Sequence, residues 1–297
     1  MRLSEVIAVL EEFYPPAWAE SWDAVGLVCG DPDQEVGRVL FAVDPVAAVV
    51  DEALEWGADL VVTHHPLLLR GVSSVAATTP KGRLIHRLIT NGVALYTAHT
   101  NADVADPGVS DALARAVGLT GPLRPMVPAA DAGSPADPMG EAVPRAGGRG
   151  LGRIGDLAEP ITLAEFTARA ADGLPATAWG VRAAGDPGRT IRTVAVCGGA
   201  GDSLLGTARA AGVDVYLTAD LRHHPASEFA EHDGPALVDA AHWATEWPWL
   251  ADAERRLREA VAGGPGESPR TRRAPDVKTR VSTLVTDAWS LHYEGAK

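Results

Sequence analysis

Six of the nine histidines, His64, His65, His99, His223, His224 and His242, cluster in four short segments that follow apolar runs. Two of these segments set a carboxylate four residues beyond a histidine, Asp103 after His99 and Glu246 after His242. Residues four apart lie one helical turn from each other, so imidazole and carboxylate at that spacing share a face. Mixed imidazole and carboxylate donors suit Zn, Fe, Mn, Co or Ni, and so many nitrogens disfavour Ca. The His and acid pairs include no cysteine, which argues against a structural zinc site. Taken singly, each pair has a plainer reading, a strand-end histidine in ordinary hydrogen bonds or a His/Glu pair on a helix surface. Several such pairs arriving together favour a metal site.

The His64 and His65 dipeptide adds a geometric expectation. Pro66 biases His65 toward an extended backbone, on which neighbouring side chains point to opposite sides. The pair would then chelate one ion poorly and serve two neighbouring ions better, which points to a dinuclear site. Two cations roughly 3.5 to 4 Å apart call for a carboxylate that binds one to each oxygen, and Glu246 is the natural candidate for that bridge. A shell of this kind leaves positions for water, as hydrolytic metal sites require.

The elements that must carry these residues read as α/β. Apolar runs of β type span Val39 to Val43, Leu60 to Val62, Val93 to Ala98, Val194 to Cys197, Val215 to Thr218 and Ala236 to Val238. Helical patterns such as Ala47 to Trp56 and Leu204 to Ala211 lie between them, so parallel βαβ units are expected. The six histidines fall at the C-terminal ends of these strands, where open α/β sheets place ligands. A helix starting after Val238 would put His242 and Glu246 on one face. A last strand, Arg280 to Thr286, is expected to return and complete a sheet.

The interval Gly121 to Gly150 is rich in Pro, Gly and Ala without periodicity and reads as a linker. It divides the chain into an N-terminal αβ domain, 1–120, and a C-terminal one, 151–297. The two sides correspond in order. GADLVVTHHP (Gly57 to Pro66) answers GVDVYLTADLRHHP (Gly212 to Pro225), and NGVALYTAHTNAD (Asn91 to Asp103) answers DGPALVDAAHWATE (Asp233 to Glu246). Two matches in one order indicate duplication. The expected architecture is two related αβ domains with mainly parallel sheets and a metal site at strand C-terminal ends between them.

Composition bounds the partners. The chain has 297 residues, 46% hydrophobic and 22% charged, close to the globular average. Lys plus Arg number 26 against 39 Asp plus Glu, and the net charge of −13 would repel a phosphate backbone. Nucleic acid is therefore not an expected partner. The basic run Arg270, Arg272, Arg273, Lys278 and Arg280 reads as a solvated loop. Two distant cysteines, Cys29 and Cys197, suggest a reducing, cytoplasmic setting. The opening segment reads as an amphipathic helix rather than a signal peptide, and no apolar run reaches membrane-spanning length.

Other features carry less. CGGAGDS, Cys197 to Ser203, could cradle a phosphate but lacks the P-loop lysine, so a tight βα turn is the expectation. Trp22 with Asp23, and Trp243, Trp247 and Trp249, could line a cleft, although core or interface packing is the default. No Ser/His/Asp triad stands out, and no catalytic residue is assigned.

The segments WDAVGLVCGDP (Trp22 to Pro32), VDP (Val43 to Pro45), THHPLLLRGVSS (Thr63 to Ser74), AHTNAD (Ala98 to Asp103), TADLRHHPA (Thr218 to Ala226) and AAHWATE (Ala240 to Glu246) together resemble the GTP cyclohydrolase 1 type 2 family, also called Nif-three-like dinuclear metal centre hexameric proteins. The resemblance implies a homohexamer of two-domain subunits with two divalent metal ions per chain. It implies His64, His65, Asp103, His242 and Glu246 as ligands, with Glu246 as the bridge. His99, His223 and His224 match positions near that site and are read as orienting the ligands or handling substrate. Ala24 and Ala241 depart from the family's usual Asn and Gly, and neither position is a ligand. The implied activity is a metal-dependent hydrolase acting through a metal-activated water on a small molecule, with a nucleotide as one candidate. The alternative is a non-catalytic metal-binding assembly protein, serving as a metallochaperone, a metal store or a regulatory partner.

Overall fold

The protein is described by a computed structural model covering residues 1–129, 148–263 and 277–293. In chain order its early elements are α1 (Leu3–Phe13), β1 (Gly26–Cys29), β2 (Arg38–Ala42), α2 (Ala47–Trp56), β3 (Leu60–Thr63), α3 (Pro80–Thr90), β4 (Ala94–Thr97), α4 (Thr100–Asp103) and α5 (Val109–Ala116). A short ribbon of β5 (Val127–Pro128) and β6 (Gly150–Leu151) precedes β7 (Arg153–Thr162), α6 (Leu163–Gly173), β8 (Val181–Ala184) and β9 (Thr190–Ala200). The remainder is α7 (Leu205–Ala210), β10 (Val215–Ala219), α8 (His223–Ala230), β11 (Ala236–Ala240), α9 (His242–Val261) and β12 (Lys278–Val281).

Cα proximity defines two units. The first is Met1–Ala102 with Leu250–Thr286, and the second is Asp103–Trp249 with Asp287–Lys297. These units are discontinuous in sequence, unlike the chain-order division at 121–150. Most of that interval lies outside the described residues, and its described ends pair as the β5 and β6 ribbon.

The first unit holds a five-stranded sheet in the order β1-β4-β3-β2-β12. β12, β2, β3 and β4 run parallel, and β1 closes one edge antiparallel to β4. Every residue of β3 and of β4 is buried, as a parallel sheet covered on both faces demands. Val61, Leu40 and Leu95 join Val49, Ile85 and Leu88 from α2 and α3 in one core layer. A strand does return to complete this sheet, but it is β12, Lys278–Val281, and of the expected run Arg280 to Thr286 only Arg280 and Val281 belong to it. Lys278 and Arg280 of the basic run therefore belong to a sheet edge and not to a loop, with Arg280 over the Trp56 ring at 4.6 Å. Arg270, Arg272 and Arg273 lie outside the described residues.

The second unit repeats the pattern with the order β7-β9-β10-β11-β8. β9, β10 and β11 are parallel, and the outer strands β7 and β8 are antiparallel to their neighbours. Sequence periodicity missed these outer strands because their residues alternate weakly between buried and exposed. The duplication is visible as topology: β2, β3 and β4 answer β9, β10 and β11. Arg153, 1% exposed, is pinned by Asp111 and by the carbonyls of Ala105, Gly150 and Gly152. This buried, fully partnered guanidinium anchors the start of β7.

Candidate metal centre

In the first unit, the histidine pair continues β3. The backbone amides of His64 and His65 donate to Ala42 and Val43 carbonyls at 3.2 and 2.9 Å, which extends the ladder past the strand end. His99 stands just beyond β4 and is fixed by its own amide donating to Asn101 Oδ1 at 2.8 Å. The three rings form a cluster with centroids 5.1 Å apart for His64 and His65, 5.1 Å for His64 and His99, and 5.6 Å for His65 and His99. One ring nitrogen from each lies within 4.8 Å of the others. The backbone is extended through both residues, and the two rings find their Nδ1 partners on different neighbours, the Ala98 carbonyl beyond β4 and Asp44 beyond β2, while their planes stand 45° apart.

Each of these imidazoles is held by its Nδ1. His64 Nδ1 meets the Ala98 carbonyl at 3.0 Å, His65 Nδ1 meets Asp44 Oδ1 at 2.7 Å, and His99 Nδ1 meets Asp23 Oδ1 at 2.9 Å. A carbonyl or carboxylate only accepts, so Nδ1 carries the proton in all three and Nε2 keeps the lone pair. That is the arrangement metal-binding histidines adopt. Asp23 is itself fixed by Thr100, whose amide and hydroxyl donate to Oδ2 at 3.1 and 2.5 Å. Asp44 also accepts from the Thr286 hydroxyl. Burial and the nearby His64 lower the His99 pKa against the opposing pull of Asp23. A neutral imidazole is the form that binds metal.

In the second unit, His242 opens α9 two residues after β11 ends. Its Nδ1 donates to Asp220 Oδ2 at 2.7 Å, and its Nε2 lies 2.9 Å from Glu246 Oε1 one turn along the helix. Burial opposes charge on this ring, but Glu246 and Asp220 outweigh it and raise the pKa to about 11. The expected face-sharing of His242 and Glu246 is present. The glycine run closes this site from behind. Gly199 has φ +70°, and a Cβ there would come within 2.5 Å of Glu246 Oε1 and 3.2 Å of His242 Nε2. Its amide donates to Thr245 Oγ1 at 2.9 Å, and its carbonyl accepts from Thr218 Oγ1 at 3.0 Å. The run is thus no simple βα turn: its first two glycines belong to β9, and they let the backbone approach the His/Glu pair. Asp103 closes α4, and together with Glu246 it adds to the burial that raises the Cys197 thiol to about 12.

His223 and His224 occupy the first turn of α8, both exposed, with ring centroids 5.1 Å apart. His223 lines a cavity of about 350 Å³ with Arg182, Leu221, Ser227 and Asp239. Among the described residues neither belongs to a group of three donors able to hold an ion. Reasoning from types and spacing missed Asp44 and Asp220, whose signal was only their place in VDP and TAD at strand ends. Trp22 packs edge-on against His99 with centroids 6.0 Å apart, whereas Trp243 and Trp249 are core residues.

Fold and donors define a class, a two-unit α/β protein whose strand C-terminal ends carry imidazoles and carboxylates that could hold metal. The family model for Duf34/NIF3 (NGG1p interacting factor 3) matches residues 1–267, and the chain belongs to that family. A Streptomyces coelicolor relative named "GTP cyclohydrolase 1 type 2 homolog" is 57% identical over 99% of this chain and 96% of its own length. A relative of the same name from Mycobacterium tuberculosis is 42% identical over 99% of this chain and 98% of its own. Among solved structures, a Bacillus cereus protein related to NIF3 aligns with TM-score 0.83 at 26% identity, covering 97% of this chain and 98% of that one. Staphylococcus aureus protein SA1388 aligns with TM-score 0.79 at 26% identity, covering 98% and 99%. No helix among the described residues is long and apolar enough to cross a membrane.

Proposed function

We propose that the protein is a metal-dependent hydrolase with two divalent ions, held by His64, His65, Asp103, His242 and Glu246, with Glu246 as the bridge. The observation that carries this reading is the shared anchoring of the imidazoles through Nδ1. His64, His65 and His242 each have Nδ1 engaged by a carbonyl or carboxylate, which makes Nε2 the ligand atom, and on His242 the ion would displace the proton that Nε2 shares with Glu246. The donor set fits Zn, Fe, Mn, Co or Ni. Bound ions would lower the pKa of a water and polarise the bond it attacks.

The chain's own residues have defined tasks in this reading. Asp44 and Asp220 orient His65 and His242. Gly199 keeps the backbone close to Glu246 while leaving its oxygens room to turn. His99, His223 and His224 would handle protons or substrate in this reading. The substrate is a small molecule. The names of the relatives point to GTP ring opening, and fold alone does not fix the reaction. A homohexamer in the cytoplasm completes the proposal, the latter supported by two free cysteines.

The test is to load purified protein with Zn, Mn or Fe and screen turnover of nucleotides, phosphoesters and cyclic amides beside a Glu246→Ala control. Turnover that the variant loses supports the enzyme. Metal binding without turnover on any of these substrates favours the metallochaperone, store or regulatory role instead. Sedimentation mass tests the hexamer.

A further inference from the structure

The cavity of about 350 Å³ that His223 lines lies within the second unit, between α8 and the edge strand β8. None of the proposed metal ligands lines it. We propose that it binds a small organic anion, a carboxylate or phosphate carried on an apolar body, with Arg182, His223 and Ser227 as the polar contacts. The site goes beyond the metal-centre reading and does not depend on it.

The space follows from the local sequence. His223, Ala226, Ser227 and Ala230 are spaced i, i+3, i+4 and i+7, so they share one face of α8. That face carries two alanines where larger side chains would close on β8, and β8 answers with Ala183 and Ala184. Leu221 and the buried Leu237 of β11 supply further apolar wall. Small-molecule sites run from about 300 to 1,000 Å³, so this one suits a single ring with its substituent rather than a dinucleotide.

The polar groups select the charge. Arg182 and Asp239 stand opposite each other in the register of β8 and β11. Nε and Nη2 of Arg182 donate to Asp239 Oδ2 at 2.8 and 2.7 Å, and the guanidinium carbon lies 4.3 Å from the centroid of the Trp179 ring. Trp179 donates to the same oxygen at 3.3 Å and packs against Trp289. The guanidinium is therefore fixed on two sides before a ligand arrives, which lowers the ordering cost of binding. Its Nη1 has no protein acceptor among the described residues, so the outer edge of the fork can take a carboxylate or phosphate. Asp239 does not draw a cationic ligand instead, because Oδ2 already takes these three donors and Oδ1 accepts the Leu221 amide at 3.2 Å. Among the described residues, the Ser227 hydroxyl and the His223 ring have no hydrogen-bond partner in the protein either. The cavity thus sets donors beside an apolar wall, and their acceptors must come from outside.

Ligand-observed NMR on the full-length protein in excess chelator tests this. The probes are 4-fluorobenzoate and phenyl phosphate, with fluorobenzene and inorganic phosphate as their apolar and ionic halves. Chelator strips bound metal, so a signal under these conditions does not come from an ion at the metal centre. At least one aromatic anion is expected to bind more tightly than either half, and which of the two does so separates carboxylate from phosphate. Arg182→Gln should weaken it about 10- to 100-fold, the worth of a charge-assisted hydrogen bond. Ala226→Leu should abolish binding by filling the space. Arg222→Gln should bind as wild type does, since that guanidinium sits outside the cavity on Asp202. If Arg182→Gln fails to fold by circular dichroism, Arg182→Lys and Ala226→Leu carry the test. No binding by either aromatic anion, or binding that the cavity variants leave intact, would overturn the site and leave the metal centre standing. A loss as large in Arg222→Gln would reduce the effect to general charge attraction and overturn the site as well.

Discussion

Asp220 accepts the Nδ1 proton of His242 at 2.7 Å from a left-handed backbone, φ 57°, the one positive φ of a non-glycine residue among those described. A non-glycine residue there is strained by about 1 to 3 kcal/mol and persists when its surroundings require it. Here the requirement is the orientation of a ring that must present Nε2 to Glu246.

Replacing Asp220 by Ala should therefore weaken metal binding about 10- to 100-fold, the usual effect of losing a carboxylate behind a histidine ligand. Asp220→Asn retains an acceptor and should lose less. Chelator competition on both variants measures the difference. Equal affinity for wild type and Asp220→Ala would refute the orienting role.

Gly199→Ala should destabilise the protein by about 1 to 3 kcal/mol, since φ +70° disfavours any L side chain. The added methyl also collides with Glu246 Oε1, so metal affinity should fall with stability. Thermal unfolding of the metal-free and loaded forms separates the two effects. A variant as stable and as tightly binding as wild type would show that the backbone can move away at no cost.

The His242 pKa of about 11 fixes a sign. The ring binds its proton more tightly folded than unfolded, so its contribution to stability is complete below the unfolded value of about 6.5 and is lost as pH rises through 11. The stability gap between metal-free wild type and His242→Gln should shrink across that window. Because metal displaces the same proton, loading near pH 7 should release protons, and affinity should climb with pH. Denaturant titrations and unbuffered calorimetry check these signs.

Arg153 and Asp111 form a buried pair at 2.8 Å, and removing one partner strands the other's charge. Arg153→Ala should cost about 3 to 5 kcal/mol. Denaturant unfolding followed by tryptophan fluorescence would register it. A loss below about 1 kcal/mol would mean that water reaches Asp111 in the variant.

Saturating metal should stabilise the protein through binding to the folded state alone, by about 2.7 kcal/mol at one hundred times Kd. A chelator should reverse the rise in melting temperature. His223→Ala and His224→Ala should leave this increment unchanged, because both residues sit exposed on α8 outside the donor groups.

The parallel strands β2, β3, β4, β9, β10 and β11 were legible because buried parallel strands are nearly continuous apolar runs, and no other element writes so plain a pattern. The His242 and Glu246 pair was legible too, since a helix brings residues four apart together without help from the rest of the fold. The duplicated order of the histidine segments came from the same strand-end positions. Tertiary structure decided what depends on partners far along the chain. Asp23 meets His99 from 76 residues away, Asp44 meets His65 from 21 and Asp220 meets His242 from 22, and no local periodicity encodes such pairings. The separate Nδ1 partners of His64 and His65 were likewise settled by the strands on either side of β3, and the purpose of Gly199 by the helix packed against it. Residue types set which ligands the chain can offer; only folding chooses which nitrogen each one presents, because that choice is made by the acceptor on the far side of the ring.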